Sequence, residues 1–103
     1  MKKYVYGYTI WRDDQVLGDY KITFKEALKG LHRESNEIKC LTWGEARKYR
    51  ALHGSEIKCT LERYSNYDEE YDDYDTIETL DHYSFTLVYS KSKEKYIRKT
   101  ITL

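Results

Sequence analysis

Between residues 66 and 82 the chain carries eight carboxylates, Asp68, Glu69, Glu70, Asp72, Asp73, Asp75, Glu78 and Asp81, and no Lys or Arg. Strand-like alternation precedes this stretch over 55–64 and resumes over 83–90, so it connects two neighbouring strands and is far longer than a hairpin requires. Long connections in compact domains are usually either functional or disordered. Tyr67, Tyr71 and Tyr74 are interleaved with the acids, which separates the stretch from a solubilising tail lacking aromatics. It holds −8, while the remainder, with 18 basic and 10 acidic residues, holds +8. The formal net charge of zero is therefore the sum of two opposed parts.

A chain of 103 residues with no Pro, 5 Gly and no other biased segment reads as one domain, 1–103. Its apolar fraction of 40% closes a modest core if aromatics supply much of the area, and 12 tyrosines do so. No apolar run is long enough to span a bilayer and Met1-Lys2-Lys3-Tyr4 opens no signal peptide, so a soluble intracellular protein is expected. Two cysteines without CxxC spacing fit free thiols in a reducing compartment.

Residues 3–11 alternate as a strand, with Tyr4, Tyr6, Tyr8 and Ile10 on one side and Val5, Thr9 and Trp11 on the other. Arg12-Asp13-Asp14-Gln15 reads as a turn and 16–22 as a short second strand. Thr23-Phe24-Lys25-Glu26 is a capping box, and Phe24, Ala27, Leu28 and Leu31 form the apolar stripe of a helix running to about Glu34. Thr42-Trp43-Gly44-Glu45 is a second box, opening a helix to about His53 with Gly54 just past its end. Its buried stripe is expected at Trp43, Ala46 and Tyr49 with Leu52 or His53. Residues 55–64 alternate with Ile57, Cys59 and Leu61 inward and Lys58, Thr60 and Glu62 outward. Tyr83, Phe85, Leu87 and Tyr89 against Ser84, Thr86, Val88 and Ser90 make the clearest strand. A turn over 90–94 then leads to a last strand, 96–103, with Ile97, Ile101 and Leu103 inward.

The two helical segments align at an offset of 19 without gaps. Thr23/Thr42, Glu26/Glu45, Ala27/Ala46 and Lys29/Lys48 are identical, as are Glu37-Ile38-Lys39-Cys40 and Glu56-Ile57-Lys58-Cys59. The repeat is either a coincidence of capping and strand grammar or a duplicated helix–strand unit, which would put a short strand at 38–41. Where the first copy has Leu28 and Leu31, the second has Arg47 and Arg50, leaving a basic face of Arg47, Lys48 and Arg50.

The expected fold class is α+β: a mostly antiparallel sheet with two short helices packed on one face and a C-terminal β-meander. No catalytic motif is present, and a non-enzymatic protein without cofactor or metal is expected. The acidic stretch lacks the Gly and closing Glu of an EF-hand loop begun at Asp68. Glu37-Ile38-Lys39 and Glu56-Ile57-Lys58 resemble the Glu-x-Lys of metal-dependent nucleases, but such residues also pair across one strand face for solubility. Cys40 or Cys59 with His32, His53 or His82 lacks any local nucleophile signature.

Two binding readings remain. Arg47, Lys48 and Arg50, with Lys91, Lys93, Arg98 and Lys99 at the C-terminal hairpin, are clustered as phosphate binding requires, although the acidic stretch would repel a duplex at short range. The acidic stretch itself, Tyr67, Asp68, Glu69, Glu70, Tyr71, Asp72, Asp73, Tyr74, Asp75 and Glu78, is the other candidate surface. Alternate residues on a strand lie roughly 6.6 Å apart on one side, so a row of carboxylates presents a phosphate-like potential. Interleaved tyrosines can stack on guanidinium groups as bases do. The implied partner is a protein with an Arg/Lys-lined nucleic-acid groove, with no membrane involved. This tyrosine-bearing acidic run on a short α+β body resembles, in class and composition, the small phage-encoded inhibitors of bacterial defence of the anti-CRISPR and anti-restriction type, several of which mimic nucleic acid. The resemblance implies a partner such as a CRISPR nuclease or its RNA–protein complex, met by the acidic side chains.

Overall fold

In the computed structural model, residues 4–12, 23–66, 68, 70, 71, 74 and 76–99 are described. The elements are β1 (Tyr4–Trp11), α1 (Phe24–Lys39), α2 (Trp43–His53), β2 (Glu56–Ser65), β3 (Thr76–Thr79), a 3-10 turn (Asp81–Tyr83), β4 (Phe85–Ser90) and β5 (Lys95–Arg98). The fold is α+β. Five strands form one antiparallel sheet in the order β1-β2-β4-β5, with β3 also paired to β2. No helix among the described residues is long and apolar enough to cross a membrane.

β2 is the spine. One edge pairs with β1 along eight residues, from Trp11↔Lys58 to Tyr4↔Ser65. The other edge is shared by two strands laid end to end: β4 covers Glu56–Cys59 and β3 covers Glu62–Ser65. Between Glu62↔Thr79 and Cys59↔Phe85, three steps along β2 face six along its partner. The surplus is the three-residue 3-10 turn, an enlarged bulge that interrupts the ladder. Ser84 closes the gap, because its hydroxyl accepts from the Leu61 amide (3.0 Å) and donates to the Leu80 carbonyl (2.9 Å). The meander expected at the C-terminus is thus present, with its middle strand broken once.

Both helices lie on the sheet face formed by the even-numbered residues of β1 and the odd-numbered residues of β2. Phe24 meets Tyr6 edge-on at 5.5 Å, and Tyr49 meets Tyr96 at 5.5 Å. Tyr8, Ile10, Ala27, Leu31, Ile38, Ala46, Ile57, Cys59, Leu61, Leu87 and Tyr96 form the core between them. Gly30 lets α1 approach β1 closely, since a methyl group there would overlap the Tyr8 ring.

Several expectations are corrected. α1 continues to Lys39, so Ile38 lies in a helix and no strand forms at 38–41. The reason is a longer stripe: Ala27, Leu31, Ser35 and Ile38 recur at helical spacing and all are buried. Residues 40–42 then turn directly into α2, whose Thr42 cap is complete. Thr42 accepts from the Glu45 amide, and Glu45 Oε1 accepts from the Thr42 amide at 3.0 Å. In α1 Thr23 accepts from the Glu26 amide at 3.2 Å, and only this half of the expected box is formed. On α2, Ala46 is buried and Tyr49 and His53 half-buried, so the stripe takes its His53 alternative, while Trp43, expected in it, is 61% exposed, as is Leu52 at 68%. In β5 the inward residue is Tyr96 rather than Ile97, because Tyr96 pairs with Tyr89 and its hydroxyl donates to the Gly54 carbonyl at 2.5 Å. The expected strand at 16–22, the turn residues 13–15, and Ile101 and Leu103 lie outside the described residues.

Candidate functional site

The acidic stretch is built as the return of a β-hairpin. β2 runs through Ser65, Asn66 leaves it in the left-handed region (φ 55°), and the chain comes back into the sheet as β3 from Thr76. Asn tolerates that backbone region better than most side chains. Tyr64 and Tyr74 face one another at 5.0 Å, tying the arm to the sheet. Asp68, Glu70, Tyr71 and Asp81 are exposed, and Tyr71 is 74% exposed. Asp68 Oδ1 accepts from the Glu70 amide at 3.0 Å, an Asx-type turn. Glu78 stands apart: it pairs with Arg63 on the neighbouring strand, and this contact raises the Arg63 pKa. Tyr67, Glu69, Asp72, Asp73 and Asp75 lie outside the described residues.

The basic candidates form two groups rather than one. Arg47 and Lys48 are exposed on α2, and Arg50 lays its guanidinium 4.4 Å over the Tyr89 ring. Tyr89 nearly ends β4, so Lys91 and Lys93 follow it in the exposed turn Lys91–Glu94. These five cations therefore gather at one end of the molecule. Arg98 and Lys99 lie along β5, roughly 10 Å away at about 3.4 Å per residue. The Arg98 guanidinium covers Phe85 at 4.4 Å, and the other neighbour of that ring is His32 of α1.

β2 separates the acidic arm from the first basic group. The arm leaves its Ser65 end. α2 and the β4–β5 turn stand at its Glu56 end, where the Tyr89 amide bonds the Ser55 carbonyl. Nine residue steps along a strand measure about 30 Å. A connection of ten residues anchored at 65 and 76 reaches back at most about 17–19 Å, so the arm cannot lie across that basic end of its own chain. Even at full reach the arm stays roughly 11–13 Å short of that end, more than one screening length of about 8 Å at physiological salt.

Alternation placed Glu62 on the outer sheet face, which is correct, but suggested a solvated side chain, which is not. Glu62 is buried at 6% exposure. Its Oε1 accepts from the Thr9 hydroxyl at 2.7 Å and the Thr60 hydroxyl at 3.0 Å, and its Oε2 from the Tyr64 hydroxyl at 3.2 Å. Trp11 Nε1 donates to Thr60 Oγ1 at 3.0 Å and extends the network. Three hydroxyls from two strands thus solvate a carboxyl group that no cation among the described residues meets, and nothing local in Leu61-Glu62-Arg63 announced it.

The buried thiol is poorly suited to nucleophilic chemistry. Cys59 is fully buried beside the Ile57 carbonyl, and burial pushes its pKa up to about 12, so it stays protonated. Cys40 is exposed. Among the described residues no three His, Cys, Asp or Glu side chains are grouped to hold a metal ion. Comparison of the chain with models of protein families, with curated proteins and with solved structures gives no match.

Proposed function

We propose that this protein is a non-enzymatic inhibitor that places its acidic, tyrosine-bearing arm in the nucleic-acid channel of a host-defence effector such as a CRISPR nuclease. The observation that carries the reading is the separation of charge along β2: the arm is anchored about 30 Å from the basic end of the same chain and cannot fold back onto it. Asp68 and Glu70 are exposed in the described part of the arm, and Tyr71 offers an open ring to a guanidinium. Fixing both feet of the arm in strands lowers the ordering cost on binding.

The test is inhibition of DNA cleavage by a panel of guide-loaded CRISPR nucleases and restriction nucleases, with the intact protein and with Asp68, Glu69, Glu70, Asp72, Asp73 and Asp75 changed to Asn or Gln. The intact protein is expected to block at least one enzyme, and the neutralised variant to bind it roughly a hundredfold more weakly. Full inhibition by the neutralised variant overturns the proposal.

A further inference from the structure

The basic end of the molecule is not explained by the arm. α2 buries only Ala46 fully, and its outward stripe of Trp43, Arg47, Lys48, Ala51 and Leu52 is exposed. The helix is covered on one narrow strip and displays its largest ring to solvent. Arg47 sits 5.9 Å from the Trp43 ring centre, so the indole is already held by a cation, yet it remains 61% exposed. Arg50 is fixed over Tyr89, and Lys91 and Lys93 project from the adjoining turn. None of these five cations is ion-paired among the described residues. Of the nearby acids, Glu45 is engaged in the Thr42 cap and also acts electrostatically on Lys48, while Glu56 and Glu94 are exposed.

We propose that this end is a second binding surface, separate from the arm, that takes single-stranded nucleic acid: an unpaired base stacks on Trp43 and successive phosphates lie along Arg47, Arg50, Lys91 and Lys93. A cationic track beside an open aromatic plane is what sequence-tolerant single-strand binding requires. A duplex keeps its bases stacked on one another and would leave Trp43 unused. Repulsion from the arm, the objection raised by the sequence, is weakened because the arm is anchored about 30 Å along β2 from this end and salt screens much of what remains. The surface does not depend on the inhibitor reading.

The experiment is fluorescence anisotropy with labelled oligothymidylate of about 15 nucleotides and a duplex of the same length, between about 50 and 200 mM salt. The single strand is expected to bind more tightly and with a steep salt slope. K91E/K93E should weaken binding at least roughly tenfold. Trp43→Ala should weaken it by a similar factor, and Trp43→Tyr should restore part of the loss by keeping a stacking ring. Circular dichroism confirms that these exposed substitutions leave the fold intact. The arm-neutralised variant should bind the single strand at least as tightly as the intact protein and remain sensitive to Trp43→Ala, since removing acidic charge only relieves residual repulsion. No binding at low salt, or indifference to both Trp43→Ala and K91E/K93E, overturns the proposal. So does salt-sensitive self-association without nucleic acid, which would make a second copy's arm the occupant, or binding of phosphatidylserine vesicles in preference to the oligonucleotide.

Discussion

The same four residues, Glu-Ile-Lys-Cys, close α1 at 37–40 and open β2 at 56–59. In the first copy Ile38 is buried on a helix and Cys40 is exposed. In the second Ile57 and Cys59 both face the core from a strand. Helical spacing puts residues two apart on different sides, whereas strand spacing puts them on one. The comparison teaches that the tetrapeptide carries one firm instruction, to bury its isoleucine, and that its neighbours decide the rest. In the first copy Leu31 and Ser35 lie on the helical face that Ile38 extends. In the second, Gly54 ends α2 at φ 90° and β1 supplies a strand partner for Lys58 onward.

The largest effect comes from forcing the first copy to resemble the second. Leu31→Arg buries a charge at a site of 0% exposure and should destabilise the domain by more than about 4 kcal/mol, whereas Arg50→Leu at the matching position should change stability by less than about 1 kcal/mol, both read by urea unfolding. Next, Ile38→Ala and Ile57→Ala should each cost about 2–5 kcal/mol despite lying in different elements. Equal losses support the shared burial rule, and a negligible loss at Ile38 would break it.

The cysteines sharpen the contrast through pH. A thiol reagent should modify Cys40 in the native protein and reach Cys59 only after unfolding. Cys59 and Tyr96 both have folded pKa values near 12, above their ordinary 9.0 and 10.0, because burial disfavours their charged forms. The unfolded chain therefore loses these protons first. Their contribution to stability is intact below about pH 9 and declines as the pH rises toward 12, which denaturant titrations at several pH values can follow.

The smallest expected effect concerns the caps. Thr42→Ala and Thr23→Ala should each cost about 1 kcal/mol, with the larger loss at Thr42, where the capping is reciprocal. At acid pH the difference narrows, because Glu45 has its pKa lowered by the Thr42 amide and its help is lost as the pH falls through that value.

Where the sequence was legible, it spoke through contacts two to four residues long. The threonine caps marked both helix starts, alternation assigned the faces of β1, β2 and β4, and counting charges isolated the acidic arm. Tertiary structure decided what rests on residues far apart in the chain. It set whether Glu-Ile-Lys-Cys winds or extends, and it buried Glu62 among hydroxyls from Thr9, Thr60 and Tyr64. It turned Tyr96 inward to reach Gly54, and it placed the acidic and basic groups at opposite ends of β2. Each of these depends on which strand or helix becomes the neighbour, a choice made by packing the whole core and invisible to any short window of residues.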